Sequence, residues 1–199
     1  MKEETMTKSV LILLDFINEI VDEKGKFASK GYPVFLKAHG ILDNVNTAIA
    51  KAREKNISIV FVRVGFSSDY REWPEVSPLF GAAKKFGALQ LGTWATEVHQ
   101  SINKTDADFL VTKHRVSAFY ATSLEAILRT LKVDTILLGG VATDLVVQST
   151  ARDAHDRDYR VVVLEDLCGA GSEEDHANAL RTLAKITTVA KSTEVLELN

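Results

Sequence analysis

Residues Leu137–Ala154 read LLGGVATDLVVQSTARDA: an apolar run, a glycine pair and then a helix start. Extended back to Thr135, the run Thr135–Leu138 predicts a buried strand, Gly139–Thr143 the tight turn that ends it, and Thr143–Asp158 the helix that follows. Thr143 suits the N-cap, Asp144 suits the first turn beside the positive end of the helix dipole, and the free N–H groups there attract an anion. A thiol one turn into this helix would be activated by the dipole and would find an oxyanion hole in the same amides. The residue in that place is Val146. On these residues alone, an ordinary strand–turn–helix connection is an equal reading.

The same alternation continues outward. Ser9–Leu14 (SVLILL) predicts a first strand ending on Asp15, Ile57–Val64 a second, and Phe109–Thr112 a third leading into Lys113. Arg160–Leu164 and Ile186–Val189 supply the last two. Between them, Ala38–Lys55 carries Ile41, Leu42, Val45, Ala48, Ile49 and Ala52 at helical spacing. Thr122–Leu131 predicts a helix capped by Thr122, and Ser172–Ala184 one with a capping box from Ser172 to Asp175. Continuous rather than alternating apolar strands, separated by helices, belong to a parallel sheet covered on both faces. The expected class is α/β: a three-layer α/β/α, Rossmann-like fold with a six-stranded, mainly parallel sheet, residues 1–199 forming a single domain. Residues 66–100, with Trp73, Pro74, Pro78 and Trp94, form a long irregular connection of the kind that serves as a lid or binding loop.

Composition narrows the function. Apolar residues make up 46% and charged residues 26%, ordinary globular usage, and the net charge is −3 without a basic stripe, which argues against nucleic-acid binding. The single cysteine, Cys168, excludes an intramolecular disulfide and fits a reducing cytosol. The N-terminal MKEETMTKSV does not read as a signal peptide, and no apolar run is long enough to span a bilayer. His39, His99, His114, His155 and His176 show no metal-ligand spacing, and no glycine-rich nucleotide loop follows a strand. These features predict a soluble, cytoplasmic protein, without metal or cofactor, that acts on a small molecule.

In open α/β sheets ligands bind beyond the carboxyl ends of the strands. Asp15, Lys113 and the Gly139–Thr143 turn all fall at such ends. An Asp directly after an apolar strand is costly to bury without a purpose, which favours a catalytic or ligand role over a plain loop carboxylate. Lys113, in Lys113-His114-Arg115, would alone read as part of an exposed basic cluster. Phe16, Arg63, Trp94 and Phe119 are candidate substrate-binding residues by position; Arg63 would suit a carboxylate through its planar fork. The aromatics read equally well as core or interface, and Arg63 as an outward strand residue.

Four segments in this order, LLDFINEI around Asp15, VTKHRVSAF around Lys113, GGVATDLVVQSTARDAHDRDY and EDLCGAGSEEDH, resemble the isochorismatase-like hydrolase superfamily, which includes nicotinamidases, N-carbamoylsarcosine amidases and isochorismatases. The resemblance extends over most of the chain. It implies that Asp15 and Lys113 match two members of the family's Asp–Lys–Cys triad, with Val146 in the place of the cysteine. It also implies a cis peptide between Val141 and Ala142, shaping an oxyanion hole, and a homo-oligomer, dimer or higher, with residues 66–100 near the interface. The sequence departs from the family at Asp15-Phe16-Ile17-Asn18, where the pattern is often Asp-x-Gln-Asn, and FVRVGFSSDY lacks the histidine of the nicotinamidase metal set.

Valine cannot attack a carbonyl, so covalent acyl chemistry is closed at this position. Cys168 does not replace it, since the neighbouring Glu165 and Asp166 would raise its pKa. Three functions follow. The first is an Asp15/Lys113 hydrolase of the enol-ether-cleaving type, with Asp15 as proton donor and Lys113 anchoring a substrate carboxylate. The second is an amidase-like hydrolase in which Asp15 activates water. The third is a catalytically inactive small-molecule binder or assembly protein. In the first, an ammonium beside Asp15 opposes the proton it must hold, and burial would have to offset that pull.

Overall fold

The computed structural model describes residues 8–196; the expectation for the segment MKEETMT lies outside the described residues. Six strands, β1 (Ser9–Leu14), β2 (Ser58–Val64), β3 (Phe109–Lys113), β4 (Thr135–Val141), β5 (Arg160–Gly169) and β6 (Thr188–Ala190), form one sheet in the order β3-β2-β1-β4-β5-β6. Every pairing is parallel. The chain winds outward from β1 through β2 to β3, then returns to place β4 on the other side of β1. The strand order therefore reverses between β1 and β4, where a crevice opens at the carboxyl ends.

Both faces of the sheet are covered. Residues Val10 to Leu14 of β1 are fully buried, and they alternate between two cores. Leu11 and Leu13 join a cluster with Val45 and Ile49 of α3 (Ile41–Glu54), on the same face as α1 (Asn18–Val21) and α2 (Tyr32–Ala38). Val10, Ile12 and Leu14 join a second cluster with Leu124 and Leu128, Ala151 and Ala154, and Leu183. Those residues lie on α5 (Leu124–Thr130), α6 (Gln148–His155) and α7 (Glu173–Leu183). Two-sided burial is the physical reason the strand reads as an unbroken apolar run. Short helices α4 (Ala83–Phe86) and α8 (Ser192–Leu196) complete the set.

Several boundaries differ from the sequence expectation. The predicted helix over Ala38–Lys55 is α2 followed by α3, separated by Gly40 in the left-handed region (φ 61°). β4 runs on through Gly139 and Gly140 to Val141, so the glycine pair belongs to the strand. The reason for the glycines is close packing: a Cβ on Gly140 would sit 2.5 Å from Leu14 Cβ, and one on Gly139 2.7 Å from Leu167 Cβ. β5 likewise continues to Gly169, pairing Cys168 with Gly140 after a register shift. The predicted helix from Thr143 starts as a wide π turn over Thr143–Val147 before α6 begins. Ala142 is its cap residue and no side chain caps it; Thr143 instead directs its hydroxyl to His176 Nδ1, 2.9 Å away on α7. At α5 the cap position is Ser123, and Thr122 accepts from the Leu124 amide at 3.2 Å. At α7, Ser172 Oγ accepts from the Asp175 amide, the first half of the expected capping box. The Asp175 carboxylate accepts from the Ser172 hydroxyl, a different contact from the backbone amide bond that would complete the box. Among the described residues, no helix is long and apolar enough to cross a membrane.

Candidate active site

Asp15 leaves β1 in the left-handed region, with φ 57°. Few residues other than Gly, Asn and Asp tolerate that conformation. Its amide donates to Val62 O at 2.8 Å, so the backbone turns while still tied to β2. Its carboxylate is then fixed from two sides: Oδ1 accepts from the Val64 amide at 2.7 Å, and Oδ2 meets Lys113 Nζ at 2.9 Å. Lys113 ends β3, an edge strand that is not a neighbour of β1. β2 lies between them, and two strand spacings amount to ~10 Å, a gap that the long lysine side chain narrows to ion-pair distance. Its ammonium also donates to Arg115 O at 3.1 Å.

The pair is almost completely buried, Asp15 being 3% and Lys113 1% exposed. Burial holds the Asp15 carboxyl above its ordinary range, outweighing the Lys113 ammonium and the Val64 amide, which pull the other way. The opposing pull noted from the sequence therefore resolves in favour of desolvation.

Asp15 and Lys113 face a cavity of about 50 Å³ whose wall also includes Val141, Ala142 and Val146. The Val141–Ala142 peptide is cis. Beyond it, the Ala142 carbonyl accepts from the amides of both Leu145 and Val147 at 3.2 Å, which fastens the start of the π turn and sets Val146 into the wall. Among the described residues no Cys, Ser or Thr side chain lines this cavity. Cys168 is fully buried in β5, donates to Leu164 O, and burial pushes its thiol up to about 12, so it is no substitute nucleophile.

The four residues expected to bind substrate do not line the cavity. Phe16 is buried in the core on the α3 side of the sheet. Arg63 precedes the wall residue Val64 on β2, and strand alternation sends it to the opposite face, where it donates to Thr112 Oγ1 and Thr96 O. Trp94 sits on a short 3₁₀ turn and is 45% exposed. Phe119 packs in the other core, its ring 6.1 Å from that of Tyr159 and beneath the Arg157 guanidinium.

The wall is completed by residues that the sequence pattern did not single out. Phe27 and Tyr32 come from the segment after α1, and Leu79 and Phe80 from the long irregular connection. Among the described residues Tyr32 is the one polar side chain in the wall besides Asp15 and Lys113. Burial and the Asp144 and Asp175 carboxylates hold its phenol above the ordinary range, so it remains a hydrogen-bond donor. Asp144, whose Oδ1 is buried without a partner, is itself raised by burial. Phe27, Leu79 and Phe80 lie in loops and Tyr32 opens α2, so no apolar period marks them, and only the fold brings them over the strand ends. Among the described residues, no group of three or more His, Cys, Asp or Glu side chains could hold a metal ion.

The all-parallel, six-stranded sheet covered by helices on both faces defines an α/β protein of the three-layer class that the sequence predicted. The Isochorismatase domain family matches residues 9–195, and the chain belongs to that family. It is similar to the uncharacterized isochorismatase family protein YecD of Escherichia coli O157:H7, 32% identical over 160 residues, 80% of this chain and 83% of that protein. It is 30% identical over 171 residues to the ureidoacrylate amidohydrolase RutB of Cronobacter turicensis, covering 80% of this chain and 73% of that protein. Among solved structures, N-carbamoylsarcosine amidase from Thermoplasma acidophilum superposes with a TM-score of 0.74 at 28% identity, covering 94% of this chain and 97% of that one. Isochorismatase-family relatives are hydrolases, and so is this chain by class.

Proposed function

We propose that this hydrolase acts on a small molecule through proton transfer at Asp15, with no covalent enzyme intermediate. One observation carries the reading: the buried Asp15–Lys113 pair faces a cavity wall that, among the described residues, offers no thiol or hydroxyl nucleophile apart from a phenol held protonated. The raised carboxyl of Asp15 keeps its proton further toward neutral pH than an exposed Asp does, which suits a general acid. The chemistry best matched to it is enol-ether cleavage. Asp15 donates its proton to the terminal vinyl carbon of an enolpyruvyl ether, and water adds to the oxocarbenium carbon, returning a proton to the Asp15 carboxylate. Collapse of the hemiketal, with a proton passing to the leaving oxygen, releases the alcohol and pyruvate. Lys113 anchors and orients Asp15, and Tyr32 donates a hydrogen bond to the substrate.

A second reading, amide hydrolysis by an Asp15-activated water, is favoured by the amidohydrolase and amidase names of the relatives. The two roles place the same residue on opposite limbs of a pH profile. As acid, Asp15 gives kcat/KM that falls as pH rises through its pKa; as base, it gives kcat/KM that rises. The test is a panel of isochorismate, nicotinamide and carbamoyl amides, assayed across pH with wild type, Asp15→Asn and Lys113→Met. Turnover of the enol ether on a falling limb, abolished in Asp15→Asn, is the expected result. Turnover of an amide on a rising limb supports the second reading. Absence of any turnover, with ligands binding wild type and Asp15→Asn alike, leaves a binding protein and refutes both.

A further inference from the structure

The cavity at Asp15 is too small for the substrate it would serve. Its volume is about 50 Å³, whereas small-molecule sites usually enclose ~300–1,000 Å³. Two of its wall residues, Phe27 and Leu79, are also walls of a second space of about 530 Å³ that opens to the surface. These two half-buried side chains form the partition between the inner cavity and the outer groove. Resting on the hydrolase reading above, we infer that the outer groove is the second half of the substrate site and takes an apolar arm that ends in an anion, a carboxylate above all.

The groove has the chemistry for such an arm. Pro78, Ala82, Ala83 and Ala88 provide an apolar floor, and Phe86 stands over it with 62% of its surface exposed, an unusual exposure for a phenylalanine. Its charged wall residues, Lys26 and Lys30, are cationic. Lys26 spans the groove, donating to Gly87 O at 2.8 Å on the opposite wall and lying 3.8 Å from the buried Glu19 carboxylate. That contact accounts for the charge of Lys26. Among the described residues the Lys30 side chain has neither a hydrogen bond nor an ion pair, so its ammonium is free to meet an incoming anion. Lys85 on α4 holds its ammonium 5.6 Å from the Phe86 ring, adding a second positive charge at the rim. Lys84, by contrast, lies over Trp73. A substrate seated with its anion at Lys30 and its reactive bond at Asp15 must pass between Phe27 and Leu79, which makes these two side chains the selectors of its width.

The test separates binding from turnover. Matched probes, 4-phenylbutanoate and 4-phenylbutanamide, are titrated by calorimetry into wild type, Lys30→Glu, Phe86→Ser and Asp15→Asn. The anion is expected to bind wild type about two- to fivefold more tightly than the amide, the contribution of an exposed ion pair. Lys30→Glu should remove or reverse that preference, Phe86→Ser should weaken both probes, and Asp15→Asn should leave both unchanged. In turnover of an anionic panel substrate, Lys30→Glu should raise KM with kcat unchanged, and Leu79→Trp should remove activity while probe binding at the groove persists. Equal affinity for the two probes in wild type, or indifference to Lys30→Glu, overturns the inference. So does a dimer in light scattering that Phe86→Ser dissociates, since the groove would then be covered by a second copy. Probe binding as expected with no turnover of any panel member leaves the groove assignment standing and removes the catalytic reading instead.

Discussion

Replacing Lys113 with methionine removes the ammonium from a pair that is nearly free of solvent, while a side chain of similar length still fills its path. The Asp15 carboxylate is left with the Val64 amide as its remaining donor. Breaking one side of a buried ion pair costs about 3–5 kcal/mol, because the surviving charge is neither hydrated nor paired. For a chain of this size, each kcal/mol moves the thermal midpoint by ~2–4 °C, so a fall of about 6–20 °C is expected. Asp15→Asn supplies the control. Asparagine tolerates the left-handed backbone at this position, and its carbonyl can still accept from the Val64 amide, so the double variant Asp15→Asn/Lys113→Met carries neither charge. It should recover at least half of the loss. The sign with pH follows from the same physics. A lone buried Asp15 has its folded pKa raised above the unfolded value, so its protonated form stabilises the fold at low pH and that contribution is lost as pH rises. The gap between Lys113→Met and the double variant should therefore narrow as the pH is lowered from about 7 toward about 4, the unfolded Asp value. Urea unfolding at several pH values measures it. A Lys113→Met cost below about 1 kcal/mol, the range of an exposed pair, refutes the reasoning, as does a double variant no more stable than the single one.

Two further outcomes test the site and the fold. Val146→Cys places a thiol in the cavity wall beside Lys113 and at the start of the π turn, so iodoacetamide should label it well before Cys168, whose thiol is fully buried and pushed up to about 12; mass spectrometry showing equal, slow labelling of both would mean that the turn does not activate a nucleophile. Gly140→Ala forces a Cβ to within 2.5 Å of Leu14 Cβ between two central strands, and overpacking of this kind should cost about 1–3 kcal/mol in denaturant unfolding, whereas an unchanged midpoint would show that the strands part easily.

Much of the architecture was legible because burial on two faces leaves a simple mark. SVLILL has no polar alternation, and in the fold its residues from Val10 onward are fully enclosed. The carboxyl-end positions of Asp15 and Lys113 were legible for the same reason, each being the first charged residue after such a run. The far ends of β4 and β5 were not. Gly139 and Gly140 imitate a turn, and Glu165 and Asp166 break the apolar run of β5, although both segments remain in the sheet. The candidate substrate-binding residues lie away from the inner cavity for reasons of geometry that sequence position does not encode. Arg63 and Val64 are neighbours in the chain, yet the pleat sends one to Thr112 and the other to the cavity. Phe16 and Phe119 are aromatic residues near the strand ends, but they fill the two cores instead of the crevice.

By itself the sequence determined the parallel α/β sheet, the pair of charged residues at its carboxyl edge, and the presence of valine where the resemblance places a cysteine. These are properties of local pattern and residue identity, and a period of apolar residues or the chemistry of one side chain suffices to state them. Only the tertiary structure decided that Lys113 reaches Asp15 across β2, that desolvation dominates the Asp15 carboxyl, and that Phe27, Tyr32, Leu79 and Phe80 enclose the site. Each of these depends on the distance between residues far apart in the chain and on the solvent that their packing excludes, quantities that no one-dimensional pattern contains.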